Sequence, residues 1–100
     1  MGLESQLKIE IDQAGKELDQ LQRLYNIYFQ GGEEDPPLPQ RRKLDTAIAS
    51  IKSKVVTSNN ATERFKANAL VSRYQTLTLK WDKHIRGIES GTIPRPKSRD

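Results

Sequence analysis

Cysteine is absent from this 100-residue chain, which excludes disulfides, thiolate zinc sites and a cysteine nucleophile. Histidine occurs once, as His84, so no second imidazole is available to share a metal. A single histidine beside Trp81 and Ile88 on an apolar helix face reads as a packed or rim residue before it reads as a general base. Of six glycines the one pair, Gly31–Gly32, follows a helical segment, the wrong order for a phosphate-cradling loop. The acidic triplet Glu33–Asp35 lacks the spaced ligands of a calcium loop. Neither catalytic residues nor a metal or cofactor is expected, and the chain reads as a non-enzyme. No run approaches the ~20 apolar residues of a membrane span. The opening MGLESQ lacks the basic-then-apolar pattern of a signal peptide, and Gln6 stands where a myristoylation motif needs Ser or Thr. A cytoplasmic protein without membrane contact is the expectation.

What is present is charge. Charged residues make up 30% of the chain, against 34% apolar and 6% aromatic. That balance suits helices with one narrow apolar stripe and not the thick core of a sandwich or barrel. The net charge of +4 hides a division: residues 1–36 carry three Lys/Arg and eight Asp/Glu (−5), and residues 37–100 carry fourteen and five (+9). Such a division can hold the two parts of a molecule together or recruit an acidic partner to the second.

The apolar spacing predicts three helices. Leu7, Ile11, Ala14, Leu18, Leu21, Tyr25 and Tyr28 step by 4, 3, 4, 3, 4, 3, a heptad seam within a helix that opens near Leu3 and stops at Gln30, where Gly31–Gly32 and Pro36–Pro37 cannot continue it. Gly15, inside that helix, costs it ~1 kcal/mol against alanine. A second helix is expected just after Pro39, with Leu44, Ile48, Ile51 and Val55 on one face. Asn60 with Glu63 has the form of a capping box and opens a third, whose seam is Ala67, Leu70, Tyr74, Leu77, Trp81, His84 or Ile85, and Ile88, fraying at Ser90–Gly91. Short connections make the fold all-α, an antiparallel three-helix bundle or coiled-coil-like helical hairpin with a third helix, in one domain over residues 1–91. Its core is expected to run through Leu18, Leu21, Ile48, Ile51, Leu70, Leu77 and Trp81. The basic, proline-punctuated residues 92–100 have no apolar face and read as a disordered tail.

One feature strains that arrangement. Glu10 and Glu17 flank the first seam as Lys66, Arg73 and Lys80 flank the third, and equivalent flanking positions face each other in antiparallel pairs, whereas an up-down-up bundle makes helices one and three parallel. Either these charges are solvated, or the first helix pairs with the third of a second chain.

The stretch YNIYFQGGEEDPPLPQRR, Tyr25 to Arg42, carries competing signals. YFQG is similar to a viral protease site, but Tyr25 occupies the place of the glutamate such a site needs, and Tyr25 and Tyr28 already belong to the seam. PPLPQR has the form read by Src-homology-three domains, and PPLP that read by some WW domains, since a preformed polyproline helix loses little entropy on docking. Prolines at a helix start also have a structural task that needs no partner. Tyr25, Tyr28 and Phe29 put three aromatics around one helix end, more than a short bundle usually buries. They form a candidate surface for self-association, a homodimer for example. The basic stripe Lys66, Arg73 and Lys80 with Lys83, interleaved with Tyr74 and Trp81, is a candidate surface for an acidic protein partner or a phosphate backbone. Because both aromatics lie on the seam, they are poor platforms for stacking bases.

The segments PPLPQRRKLDTAIASI and NNATERFKANALVSRYQTLTLKWDKHIRGIESG resemble a recurrent region of uncharacterised bacterial helical proteins, on Arg64–Phe65, Leu70, Arg73–Tyr74, Trp81 and Ile88–Glu89–x–Gly91. The resemblance spans roughly Pro36 to Gly91. It implies a bacterial, cytoplasmic setting and supplies no activity. The function expected is a non-enzymatic helical protein–protein interaction module, adaptor or scaffold; the alternative is a nucleic-acid-binding bundle using the basic second part.

Overall fold

The computed structural model describes residues 5–92 and contains three helices, α1 (Gln6–Phe29), α2 (Leu38–Val55) and α3 (Ala61–Ser90). Each packs against the other two, and among the described residues there is no strand. The chain is an all-α three-helix bundle. Of the tail expected over residues 92–100 only Thr92 is described, and the expected start of the first helix near Leu3 also lies outside the described residues.

Helix boundaries follow from capping chemistry. Ser5 opens α1, its hydroxyl accepting from the Lys8 amide at 3.0 Å. The other end is closed by the glycine pair: Gly31 adopts φ 86°, its N–H bonds Tyr28 O at 3.0 Å, and the Gly32 N–H bonds Ile27 O at 2.9 Å. Together these bonds make a Schellman stop. A Cβ at Gly32 would lie 2.7 Å from Ile27 Cγ2, so a larger residue there would force Ile27 to shift. The YFQGG segment is thus a helix terminator. Helix α2 begins at Leu38, one residue before Pro39 and not after it. Proline tolerates the first turn because its missing N–H would have had no intrahelical partner. The PPLP segment is therefore folded into a helix start and does not run on as polyproline helix.

Asn60 caps α3, accepting from the Glu63 amide at 3.0 Å. Only half of the expected capping box forms, because the Glu63 carboxylate accepts from the Ser5 hydroxyl of α1 instead. That bond joins the starts of α1 and α3, which run parallel. Gly91 ends α3 at φ 81°, its N–H bonding Ile88 O at 3.2 Å.

The seams meet as their spacing requires. Leu18, Tyr25 and Ile51 are fully buried, with Leu21, Leu44, Ile48, Ala67, Leu70 and Trp81 around them. Each large apolar side chain so buried contributes ~1.5–3 kcal/mol. Leu77 and Val55 are half-buried at the edge of this core, as is Tyr28 at the end of the first seam.

The charges that strained the parallel arrangement find partners in another way. Glu10 accepts from Ser50 at 2.7 Å and pairs with Lys54, and Glu17 lies 3.6 Å from Lys43, so both glutamates serve the antiparallel α1–α2 contact. Arg73 reaches α1 through Asp19 at 2.6 Å and Gln22 at 3.2 Å, positions outside the matched set. A helix in a three-helix bundle has two flanks and two neighbours, and α1 gives one flank to each.

Candidate interaction surface

The expected aromatic end is assembled, but mostly inward. Tyr25 is 0% exposed and stacks flat on Trp81, with ring centroids 4.1 Å apart and planes at 10°. Its hydroxyl accepts from Arg41 at 3.1 Å. Arg41 in turn grips Asp82 with both arms of the guanidinium, at 2.7 and 3.0 Å. One polar cluster thereby ties α1, α2 and α3 together. The Asp82 carboxyl is held below the usual carboxylate range by these Arg41 bonds, against the opposing effect of partial burial. Phe29 packs on the His84 ring at 4.0 Å and Tyr28 on Phe29 at 5.2 Å; both phenyl rings are half-buried. Tyr25 is therefore a core residue and is corrected as a surface candidate. Within the chain Trp81 covers Tyr25 and His84 packs on Phe29, while Tyr28 and Phe29 stay partly exposed at this end.

A second polar contact ties α2 to α3: the Tyr74 hydroxyl donates to Asp45. Burial pushes the Tyr74 phenol up, and the Asp45 carboxylate adds to the shift.

Of the basic candidates, Arg73 is engaged by Asp19 on α1 and is an interhelical tie first. Lys66, Lys80 and Lys83 are exposed and unpaired among the described residues. They flank a feature that heptad reasoning passed over. Phe65 is 74% and Leu79 67% exposed on α3, in a helix whose other large apolar side chains all turn to the core or its edge. At 100° per residue, Phe65, Ala69, Ser72, Thr76 and Leu79 fall within an arc of about 80°, a second seam directed outward. All five are exposed. Lys83 continues the line of Phe65 five turns on, while Lys66, Arg73 and Lys80 run about 60–100° to one side. The opposite side carries Asn68 and Gln75 between Arg64 at one end and Asp82, paired with Arg41, at the other. No carboxylate occurs between Glu63 and Asp82, against four cations at Arg64, Lys66, Arg73 and Lys80. The signal was present in the sequence, since Phe65 and Leu79 are fourteen residues apart with small residues at the intervening steps.

The grooves elsewhere are shallow. One between α1 and α2, floored by Ala14 and Ala47, is bordered by Glu10, Glu17 and Lys43, residues of the ion pairs that join the two helices. Among the described residues no group of three or more His, Asp or Glu is arranged to hold a metal, and no helix is long and apolar enough to cross a membrane. No protein-family model, curated protein or solved structure matches the chain.

Proposed function

We propose that the chain is a non-catalytic protein–protein interaction module, an adaptor or scaffold element of a bacterial cytoplasm, which takes its partner on the outer face of α3. The observation that carries this reading is the pair Phe65 and Leu79, 74% and 67% exposed, aligned on one face of a helix that needs neither of them for its own core. Large apolar side chains held in water on a rigid helix favour contact with another apolar surface.

Nucleic acid is the second reading, favoured by the carboxylate-free run from Arg64 to Trp81. The protein reading takes precedence because Tyr74 and Trp81 are only 6% and 3% exposed, which withdraws the aromatics that would stack on bases.

A photo-crosslinking amino acid placed at position 65, in the native cell, separates these readings. A protein adduct of discrete mass, absent when the same group is placed at Gln20 on α1, supports the interaction module. A nucleic-acid adduct supports the alternative, and no adduct above the Gln20 control contradicts both.

A further inference from the structure

The outer face of α3 has a shape and a charge that together restrict what can cover it. Phe65 and Leu79 are two knobs separated by about 21 Å along the axis, and the three residues between them on the same line, Ala69, Ser72 and Thr76, are small. The face is therefore a shallow valley with a wall at each end. A helix laid along it can approach closely at the middle and needs a large apolar side chain there, where α3 supplies none.

A second copy of α3 fails this requirement in either direction. Packed antiparallel about Ser72, each Phe65 meets the other copy's Leu79, and small residues face small residues, leaving a void at the centre. The same packing sets Lys66 against Lys80 of the copy and Arg73 against Arg73, because equivalent flanks face each other in antiparallel pairs. Packed parallel, the valleys again coincide, and Lys83, which lies in the line of the seam, meets its own equivalent. Like charges at such positions oppose association. The outer face of α1 is no better as an occupant from a second chain, since between Ile9 and Ile27 it alternates Asp12, Lys16, Asp19 and Arg23 and has no net charge to offer.

The geometry points to an acidic amphipathic helix of another protein as the occupant: an apolar stripe with a large central residue, carboxylates along the flank that meets Lys66 and Lys80, and a carboxylate where the stripe reaches Lys83. The other flank, Asn68 and Gln75 between Arg64 and the Arg41-paired Asp82, carries no row of like charges to match. This inference rests on the reading of α3 as an interaction surface and specifies the partner's chemistry.

Fluorescence anisotropy with three labelled helical peptides of about four heptads tests it. The peptides share one leucine-rich stripe and carry Glu, Gln or Lys on the flanks; a duplex DNA and a single-stranded RNA serve as further probes. The Glu peptide is expected to bind about tenfold more tightly than the Gln peptide at low salt, with the margin narrowing as salt rises. Phe65→Ser combined with Leu79→Ser, both at exposed positions, should abolish binding while circular dichroism stays unchanged. The triple change Lys66→Glu, Lys80→Glu and Lys83→Glu should transfer the preference to the Lys peptide. Equal or absent binding of all three peptides, tighter binding of either nucleic acid, or sedimentation as a dimer that the Phe65 and Leu79 changes dissociate would each overturn the proposal. If the crosslinker at position 65 captures a protein while the peptides are not distinguished, the interaction reading stands and the acidic-helix inference falls.

Discussion

Arg41 holds Asp82 in a two-armed contact at 2.7 and 3.0 Å and extends the same guanidinium to the buried Tyr25 hydroxyl, so one side chain of α2 connects both other helices. Lysine cannot reproduce a planar fork, and Arg41→Lys is expected to cost ~1 kcal/mol in urea unfolding at neutral pH. The cost is small because the Asp82 side chain is 40% exposed and its charge is screened. Asp82 has its pKa lowered in the folded state, so its contribution is present above the ordinary aspartate value of about 4 and is lost as pH falls through the lowered one. Glu10, lowered by Lys54 and then Ser50, acts in the same direction. Asp82→Asn should therefore make stability less dependent on pH below about 4, compared by urea unfolding at neutral and acid pH.

The alkaline limb belongs to Tyr74. Its folded pKa is raised, first by burial and then by Asp45, so the stability it contributes is complete below the ordinary tyrosine value of about 10 and declines as pH rises beyond it. Tyr74→Phe should lose ~1 kcal/mol at neutral pH through the missing hydrogen bond. It should also unfold less steeply with pH in the alkaline range, read by circular dichroism.

Two glycines should respond in opposite ways to alanine. A Cβ at Gly15 meets nothing within 4 Å, so Gly15→Ala should stabilise by ~0.5–1 kcal/mol. Gly31 sits at φ 86°, which a side chain disfavours, and Gly31→Ala should destabilise by ~1–2 kcal/mol. Thermal melts of the two variants should move several degrees in opposite directions.

Core truncation should rank by burial. Leu18 is 0% and Leu70 8% exposed, so Leu18→Ala should cost ~3–5 and Leu70→Ala ~2–4 kcal/mol by chemical unfolding. A loss near zero at Leu70 would place α3 in a different rotation from the one described.

The seams were legible because burial repeats with the helical period: Leu7 to Tyr25 on α1, Leu44 to Ile51 on α2 and Ala67 to Ile88 on α3 could be read as core from spacing alone. The Asn60 cap and the glycine stop were legible for the same reason, being local chemistry within a few residues. The ties between helices were not. Arg41 is 41 positions from Asp82 and 16 from Tyr25, and no periodicity connects them. Arg41 stood out in the sequence only as the end of a proline motif. For Glu10 and Glu17 the spacing leaves only solvation or a second chain as readings, and their α2 partners Lys54, Ser50 and Lys43 escape it, because a heptad names the flank of a helix without saying which of two partners lies against it. Phe65 lies off the main seam, where spacing carries no expectation of burial. Its exposure became meaningful once Leu79 proved to share its face.

The most direct test is a map of amide chemical shifts along the chain as the Glu-flanked helical peptide is added. Perturbation concentrated on the outer face of α3, at Phe65, Ala69, Ser72, Thr76 and Leu79 with Lys66, Lys80 and Lys83, and lost in the Phe65→Ser, Leu79→Ser variant, is the result the proposed interaction predicts. Perturbation centred instead on Tyr28 and Phe29 at the aromatic end, or none at saturating peptide, would contradict it.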